Sequence, residues 1–550
     1  MRSTRKRLGS AFRITAVAGG LTLLVACGSS SSSKPIGAGN ASGGVRPSGT
    51  VVADSGFAVD KNGFGFENYG NTEGISNLTP AAMKSLFGDQ VCARVADGNC
   101  TLTPSAAKWM ATQNDGMNGG HCFGMAGLSW AIFKGTVPAS KYGSDTASQM
   151  TLPNNQPLQS DLAAVFVTQV TDPTVSKKIQ LTPNETIAKL KEGWAAGTGF
   201  LLAFYKLAGS EQTGGHAVTP VAVEDRGEGK MGIILYDNNF PNVPQVMVVD
   251  TAANTWSYST AADPRNDPES YTGGANNKLE LFPVDPMIGP QSCPFCTGGQ
   301  TSTATGVGSV PGTVKGGSEY NYIYLNQEGG AKGIALTVQD LKGNPIPGTK
   351  ETTPLSFDNA FVPPVLAVPK QSPFLIKVDG SKMTSQANAA VAIIGPGYDF
   401  GIDKIDMNPG EVDTIRFDPA TNKLAYQTNA GAAPDIVLGL DGKDVSYSFL
   451  FGGLALSQNG GTIEVGLNPT KQTVTASSGN TGESQIDFQV ERLDQASEEQ
   501  FDSEPIPLGG NESLIIEYGK WKGNGTPMPV GIDHNGDGII DETLVAPDKS

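Results

Sequence analysis

The chain has 550 residues, a formal net charge of −16 and 17% charged residues. A chain this acidic has no general basic surface, which excludes nucleic-acid binding and anionic-lipid binding through such a surface. The length exceeds what a single hydrophobic core serves, so we expect two or more domains.

The N-terminus carries a basic leader and a short apolar run that ends at a cysteine. Five basic residues lie between positions 2 and 13, and the apolar run covers 14–26. This order is typical of a secretory signal, and the run is too short to span a hydrocarbon core of roughly 30 Å. The tetrad Leu24-Val25-Ala26-Cys27 resembles the bacterial lipobox, whose cysteine is lipidated and becomes the mature N-terminus. We therefore expect a signal peptide over 1–26 and an exported protein that lipid on Cys27 anchors to the cell membrane or outer membrane. An ordinary secretory signal or an uncleaved anchor is the alternative.

Residues 27–55 are rich in glycine and serine and predict a flexible tether. Residues 56–290 then show mixed helix and strand patterns. Three helices are expected to follow the same Leu-Thr-Pro signal at 78–80, 102–104 and 181–183. Threonine caps free N–H groups there, and proline lacks the N–H that would go unbonded. Gly88 is expected to end the first of these helices and Gly193 the third.

The second half of the chain has a different character. Residues 291–318 are rich in glycine, threonine and serine and predict a linker. From 319 to 550, apolar residues alternate with others at 334–338, 463–467 and 486–490, and turn signals such as Asp441-Gly442 separate the runs. We expect an all-β, sandwich-like C-terminal region.

The six cysteines predict two disulfides and one free thiol. With Cys27 assigned to lipid, five remain, and thiols tend to pair in an oxidising compartment. Cys92–Cys100 and Cys293–Cys296 are the pairs favoured by proximity in sequence, although four cysteines allow three connectivities. In each of these connectivities Cys122 is the cysteine left over.

Cys122 follows Gly119-Gly120-His121 at the expected start of an apolar helix. The N-terminus of a helix favours the thiolate form of a cysteine, so this is a suitable place for a nucleophile. A small buried cysteine that packs the start of the helix is the structural alternative.

His216 is the candidate base, chosen by elimination among three histidines. His121 adjoins Cys122, and neighbours on a helix point about 100° apart, so its ring is poorly directed towards that thiol. His534 lies in an acidic loop near the C-terminus. His216 precedes an apolar strand over 217–223, which can hold it rigidly; a histidine packed within a strand is the alternative.

A third polar cluster, Asp237-Asn238-Asn239, follows a strand-like run that ends at Tyr236. A carboxylate or amide oxygen here can accept the imidazole N–H, fix its tautomer and stabilise its cation. Asp237 is the first candidate for this role and Asn238 the alternative; an Asx turn that closes a hairpin is the structural reading.

The order of these elements resembles the papain-like cysteine peptidase superfamily, and it looks closest to that superfamily's bacterial branches. A cysteine at a helix start, a helix ending at Gly193, a strand, Gly-His-Ala-Val at 215–218, another strand and Tyr-Asp-Asn at 236–238 carry the resemblance, over roughly residues 100–260. It implies an α+β papain-like domain over 56–290, followed by the all-β C-terminal region. It also implies that Cys122 is the nucleophile, His216 the general base and then acid, and Asp237 or Asn238 the orienting residue.

One position departs from the family pattern. The family places a glutamine that donates to the oxyanion about six residues before the cysteine, and Gly116 stands there in this chain. Gln113 and Asn118 are the nearby polar candidates, together with the backbone N–H of Cys122.

The segment 533–542 resembles the calcium loop of EF-hand proteins. Asp533, Asn535 and Asp537 follow its Asp-x-Asn-x-Asp-Gly pattern, Ile539 offers a carbonyl, and Asp541 offers a later carboxylate. Position twelve is Leu544 rather than glutamate. We expect a structural Ca²⁺ site of weak affinity and no organic cofactor; a solvated acidic turn is the alternative.

These features predict a surface-anchored cysteine peptidase that hydrolyses amide bonds in a peptide or cell-wall substrate through an acyl-enzyme. The rival interpretation is a non-catalytic surface binding or adhesion lipoprotein, in which a papain-like scaffold and the β-region bind a partner. The intact Cys122, His216 and Asp237 set favours the enzyme, whereas the displaced glutamine favours the rival.

Overall fold

The computed structural model describes residues 45–549, apart from 209–210, 261–268, 328–332, 356–363, 458 and 480–481. The predicted signal peptide, Cys27 and most of the predicted tether lie outside this range. The chain is 19% helical and 43% strand, and the strands form large antiparallel sheets. The fold is therefore mixed, with a β-rich C-terminal region.

In the described part of the chain, every α-helix precedes residue 289, and none is both long and apolar enough to cross a membrane. The helices are α1 (Val59–Asn62), α2 (Pro80–Phe87), α3 (Pro104–Gly116), α4 (Cys122–Phe133), α5 (Gln156–Val167), α6 (Pro183–Ala195) and α7 (Val284–Ile288).

The three Leu-Thr-Pro signals begin α2, α3 and α6, as predicted. Thr79 and Thr103 accept hydrogen bonds from first-turn N–H groups, and Thr182 forms a capping box with Glu185. Each signal supplies the acceptor that the free N–H groups of a helix start require.

Gly88 ends α2 with a φ of 79°, as predicted. The expectation that Gly193 ends α6 is wrong, because α6 continues to Ala195. The glycine has a packing role instead: a Cβ at position 193 would lie 2.2 Å from Cε2 of Phe200.

The N-terminal part of the chain is built on one nine-stranded antiparallel sheet. Its order is β10-β9-β8-β7-β6-β5-β11-β4, and β1 pairs with β6. A separate two-stranded sheet pairs β2 with β3. The strands are β1 (Thr50–Asp54), β2 (Cys92–Ala96), β3 (Asn99–Leu102), β4 (Ile179–Leu181), β5 (Phe200–Ala208), β6 (Glu211–Gly227), β7 (Lys230–Tyr236), β8 (Gln245–Asp250), β9 (Thr255–Thr260), β10 (Glu269–Gly273) and β11 (Leu279–Pro283).

The position of β1 corrects the predicted end of the tether at residue 55. Thr50 pairs with Asp225, and Asp54 pairs with Ala222. The Val51-Val52 pair within a polar stretch gives this segment the β propensity to add a strand to the sheet.

Both faces of the nine-stranded sheet are covered. Side chains of a strand alternate between faces, and β5 shows this directly. Leu201, Ala203 and Tyr205 join the core that includes α4 and α5, whereas Leu202 and Phe204 join a second core that includes α6.

Both predicted disulfides are present, and Cys122 is the free cysteine among the described residues. The predicted linker over 291–318 is instead a packed segment. It contains the hairpin of β12 (Thr301–Ala304) and β13 (Gly312–Lys315), and Phe295, Val307 and Val314 are buried. These few apolar side chains pack the segment against the rest of the protein, although its composition is otherwise that of a linker.

The C-terminal region consists mainly of two antiparallel sheets, in agreement with the β-rich prediction. One has the order β16-β17-β14-β19-β20-β23-β24-β27-β28, with β29 paired to β27, and the other has the order β15-β18-β21-β22-β25-β26-β30-β31-β32. The strands are β14 (Tyr320–Gln327), β15 (Ala335–Gln339), β16 (Lys350–Thr352), β17 (Val365–Pro369), β18 (Phe374–Asp379), β19 (Ala387–Gly395), β20 (Tyr398–Met407), β21 (Val412–Asp418), β22 (Lys423–Thr428), β23 (Asp435–Leu440), β24 (Val445–Gly452), β25 (Gly461–Asn468), β26 (Thr473–Ser478), β27 (Ser484–Asp494), β28 (Glu498–Asp502), β29 (Ile506–Leu508), β30 (Ser513–Ile516), β31 (Met528–Asp533) and β32 (Glu542–Ala546).

One hydrophobic core draws on both of these sheets, as in a sandwich. Helix α3 connects this region with the N-terminal part. Lys108 Nζ lies 3.2 Å from Asp403 Oδ1, and the Thr103 hydroxyl donates to Asp441 Oδ2 at 3.0 Å. The C-terminal region therefore lies directly against the helices of the N-terminal part.

Candidate active site

Three neighbouring elements position the predicted catalytic set. Cys122 is the first residue of α4, His216 lies within β6, and Asp237 directly follows β7. Strands β6 and β7 are antiparallel neighbours, so the residue that follows β7 returns towards the middle of β6. His216 Nε2 lies 2.7 Å from Asp237 Oδ1, and both side chains are fully buried.

Both carboxylate oxygens of Asp237 accept hydrogen bonds. The hydroxyl of Tyr258 donates to Oδ2, and the backbone N–H of Asn239 donates to Oδ1 at 2.9 Å. Burial favours the neutral acid, but the charge and hydrogen bond of His216, with these two donors, lower the pKa of Asp237. Asp237 is therefore a carboxylate that accepts a hydrogen bond from Nε2–H of His216.

His216 has the electrostatics of a general base. Burial favours its neutral form, but the carboxylate of Asp237 and the Cys122 side chain raise the pKa of His216 above its ordinary value. Cys122 therefore lies close enough to His216 to affect its protonation, while Cys122 Sγ lies at hydrogen-bond distance from the carbonyl oxygen of Leu355. Because Asp237 holds Nε2, Nδ1 is the ring nitrogen that can take the thiol proton.

Asn238, the alternative orienting residue, has a different role. Its side-chain amide donates to the backbone oxygen of Cys122 at 3.2 Å and to that of Ala217 at 3.0 Å. It thereby joins the start of α4 to β6 and fixes the spacing between the thiol and the imidazole. Asp237 is the residue that contacts the imidazole.

His121 faces away from the thiol. Its Nδ1 lies 2.7 Å from the carbonyl oxygen of Tyr69, its Nε2 lies 2.9 Å from Asn77 Oδ1, and its ring stacks on the ring of Tyr69. Burial lowers the pKa of His121 to about 4, against a smaller opposite effect of the Tyr69 carbonyl. His121 is therefore a neutral packing residue, in keeping with its rejection as the base.

The two oxyanion candidates occupy different environments. Gln113, on α3, is buried and lines a cleft together with Phe166, Tyr324 and Pro354. Asn118 lies in the turn between α3 and α4 and is exposed. The backbone N–H of Cys122 belongs to the first turn of α4, where N–H groups have no partner within the helix.

A segment of the C-terminal region covers the thiol. Cys122 Sγ lies 3.8 Å from the carbonyl oxygen of Leu355, and the Leu355 backbone N–H donates to Gln169 Oε1. Leu355, Gln169 and Cys122 are all buried.

Sequence reasoning missed Gln169 and Tyr258. Gln169 follows the apolar end of α5, and Tyr258 follows Trp256 on β9 with the period of a strand. The one sequence signal for Gln169 was its position directly after an apolar helix, where a polar side chain becomes buried. Tyr258 carried no signal, because a tyrosine on a strand is ordinary.

The predicted calcium loop connects β31 and β32. Asp533 accepts backbone N–H groups from Gly536 at 2.7 Å and from Gly538 at 2.7 Å, and Asn535 accepts that of Asp537 at 2.9 Å. These turn hydrogen bonds account for the loop conformation by themselves. Among the described residues there is no group of three His, Cys, Asp or Glu side chains arranged to hold a metal. Ca²⁺ binding therefore stays a prediction.

Searches against protein-family models, curated proteins and solved structures found no match. What the site can do chemically therefore follows from its own geometry.

Proposed function

We propose that this protein is a papain-like cysteine peptidase that hydrolyses amide bonds through an acyl-enzyme. The observation that carries the proposal is the buried His216 imidazole, which lies 2.7 Å from the Asp237 carboxylate and whose pKa is raised by Asp237 and, to a smaller extent, by the free and buried Cys122 at the start of α4. A purely structural histidine does not require a free thiol and an ionised carboxylate together in a buried site.

The residues suit acyl transfer. His216 Nδ1 takes the thiol proton, and Asp237 stabilises the resulting imidazolium through Nε2–H. The Cys122 thiolate attacks the carbonyl carbon, a C–S bond forms, and His216 returns its proton to the nitrogen as the C–N bond breaks. A water molecule, deprotonated by His216, then releases the acid and restores the thiol. The Cys122 N–H is the first proposed oxyanion donor, and the Gln113 amide is the proposed second donor, because Gln113 is buried and Asn118 is exposed.

An epoxide probe that alkylates catalytic cysteines tests the proposal. We expect the probe to label Cys122 in the folded protein and to label nothing after Cys122→Ala. His216→Gln keeps a donor for Asp237 and should slow labelling at least about 10³-fold, because the thiol loses its base. His121→Gln is the matched control and should label at the rate of the unaltered protein, since His121 faces away. Equal labelling of His216→Gln and the unaltered protein would contradict the mechanism.

The covered thiol favours a second candidate, a non-catalytic surface binding protein. Leu355 occupies the position next to Cys122 that a substrate needs, and the usual glutamine position is Gly116. This candidate predicts that Cys122 resists the probe in every folded variant, including variants at Leu355.

We propose further that lipid on Cys27 anchors the protein at the cell surface. The Leu-Val-Ala-Cys tetrad and the glycine- and serine-rich stretch after it support this. Metabolic labelling with an alkyne fatty acid should mark the mature protein, and Cys27→Ala should abolish the label. An unlabelled mature protein that begins elsewhere would contradict the anchor.

A further inference from the structure

The segment from Thr353 to Leu355 follows strand β16 and lies in the candidate active site. Strand β16 is at the edge of its sheet and pairs only with β17 among the described strands. Beyond it, the backbone of Leu355 contacts the N-terminal part on both sides. Its N–H donates to Gln169 Oε1, and its carbonyl oxygen lies 3.8 Å from Cys122 Sγ. Its two polar backbone groups are therefore directed to residues at the site.

The Leu355 side chain lies against Gly215. A Cβ at position 215 would lie 2.9 Å from Leu355 Cδ2 and 2.8 Å from Cδ1 of Tyr205. Leu355 is only 1% exposed, and it shares a hydrophobic cluster with Tyr205 and Cys122. The missing side chain of Gly215, one residue before the base, thus leaves space that this leucine fills.

Pro354 forms part of the wall of a cleft between α3 and β14. The cleft is lined by Gln113 and Phe166 on the N-terminal side and by Tyr324 on the C-terminal side. The segment therefore runs from the wall of this cleft, at Pro354, to the nucleophile, which the carbonyl oxygen of the next residue, Leu355, contacts. It also passes the side chain proposed as an oxyanion donor.

We infer that residues 353–355 occupy the acyl side of the substrate cleft, and that Leu355 fills a subsite for an aliphatic residue immediately before the cleaved amide bond. This inference rests on the proposed function. The substrate class is then a peptide with leucine, or a side chain of similar size, at that position. The enzyme is latent while the segment is seated, because the segment and a substrate compete for one cleft.

The chemistry of the subsite explains the selection. An aspartate there would place a charge in a buried pocket formed by an aromatic ring and a glycine, and a buried charge without a partner is strongly disfavoured. A glycine would leave the volume of Leu355 empty and forfeit its contacts. A leucine side chain fills the pocket and has no polar group that needs a hydrogen-bond partner there.

Two fluorogenic amides, acetyl-Thr-Pro-Leu-aminocoumarin and acetyl-Thr-Pro-Asp-aminocoumarin, test the subsite on the unaltered full chain. We expect kcat/KM to be at least about 100-fold higher for the leucine amide, because the aspartate analogue buries an unpaired charge. The seated segment lowers both rates alike, so the ratio of the two rates reports the subsite. Equal rates for the two amides, or cleavage of neither amide by folded Leu355→Ala whose Cys122 the epoxide probe labels, would overturn the assignment of the subsite. Cys122→Ala should cleave neither amide.

Leu355→Ala tests latency. Removal of the side chain should raise the rate at which the epoxide probe labels Cys122 by about tenfold or more, because the segment loses the contacts that seat it. Leu366→Ala is the matched control. Leu366 is a buried leucine on β17 of the same sheet, in the core shared by the two C-terminal sheets, and its loss should leave labelling unchanged. A melting curve for each variant reports whether it is folded.

The outcomes separate the inference from the proposed function. If Cys122 is labelled equally fast in the unaltered protein and in folded Leu355→Ala, the segment is not an inhibitor and the inference fails while the peptidase stands. If Cys122 is labelled in neither, the proposed function fails. If Leu355→Ala does not fold, the ratio of the two amides on the unaltered chain decides the matter, since that measurement needs no variant.

Discussion

Two fully buried aspartates in the two parts of the molecule have pKa values that are shifted in opposite directions. Asp237 in the N-terminal part is ionised, because His216, Tyr258 and a backbone N–H lower its pKa against the effect of burial. Burial is the main influence on Asp399, which lies on β20, and it raises the pKa of Asp399 to about 7. The charge of Lys108 opposes this rise only in part. The comparison teaches that partners, rather than depth, decide whether a buried carboxylate is charged. A charged carboxylate that holds a histidine beside a thiol is arranged for chemistry, whereas a carboxylate that is merely buried destabilises the fold when it ionises.

The largest expected effect comes from neutralising Asp237. Asp237→Asn should lower kcat/KM about 10²–10⁴-fold, because the amide no longer fixes the tautomer or stabilises the imidazolium. The same change removes a charge that raises the pKa of His216. The alkaline limb of the pH–activity profile should therefore move to lower pH, since His216 loses its proton more easily. Hydrolysis of the leucine amide across pH 5–10 measures both effects.

Asp225→Asn is the control for this experiment. Asp225 is exposed on β6, and its carboxylate only accepts the backbone N–H of Gly227. Its replacement should leave the rate and both limbs of the profile unchanged. An Asp237→Asn variant with an unaltered alkaline limb would show that the pair with His216 is structural and not catalytic.

A smaller effect, on stability, is expected from Asp399. Because the pKa of Asp399 is raised in the folded state, the contribution of this group to folding stability is fully present below the ordinary pKa near 4 and is lost as the pH rises to about 7. Asp399→Asn cannot ionise, so it should remove this loss. Between pH 5 and pH 8 the variant should gain roughly 1–3 kcal/mol relative to the unaltered protein, as measured by urea unfolding at the two pH values.

Asp435→Asn is the matched control, since Asp435 lies on neighbouring β23 and pairs with exposed Lys404. It should show no such pH-dependent gain. If Asp399→Asn and the unaltered protein lose stability in parallel between pH 5 and pH 8, Asp399 is already ionised in the fold, and the contrast with Asp237 disappears.

The sequence was a good guide wherever a local signal governs a local structure. The Leu-Thr-Pro caps, the strands around His216 and the alternation of the C-terminal strands all depend on neighbours within a few residues. Two members of the candidate triad were found for the same reason, since Cys122 begins a helix and Asp237 follows a strand, whereas His216 lies within β6 rather than before a strand over 217–223. The two disulfides followed from proximity in the chain.

The contacts between distant segments were not predictable in this way. Leu355 reaches Cys122 across 233 positions, and no local pattern in a short polar strand indicates where it docks. Asp237 and Asn238 are adjacent and chemically similar, so only the course of the backbone after β7 decides which one meets the imidazole. The segment 291–318 has the composition of a linker, and its packing depends on a surface that other residues provide.

The smallest expected effect is that of calcium on the loop 533–542. This loop adds a third buried aspartate to the comparison, Asp533, whose hydrogen-bond donors are backbone N–H groups of its own turn. Asp533 is buried, and burial opposes its ionisation. Four backbone N–H groups of its own turn nevertheless lower its pKa, so the turn itself favours the charged form. Each carboxylate oxygen has further lone pairs, so a cation can bind without breaking the turn. At 1 mM Ca²⁺ and millimolar affinity, linkage predicts a gain of about 0.5 kcal/mol, or about 1–2 °C in melting temperature.

Asp537→Ala should abolish this rise, because it removes one of the three side-chain ligands of the pattern. Asp340→Ala is the control. Asp340 heads another turn of the same kind and accepts the N–H groups of Lys342 and Asn344, but it lacks the alternating Asp-x-Asn-x-Asp spacing. That variant should keep the full response to calcium, measured against magnesium at equal ionic strength. A melting temperature that does not respond to calcium in the unaltered protein would mean that the N–H groups of the turn are the only partners of Asp533, and that the loop is a hairpin connection without a bound ion.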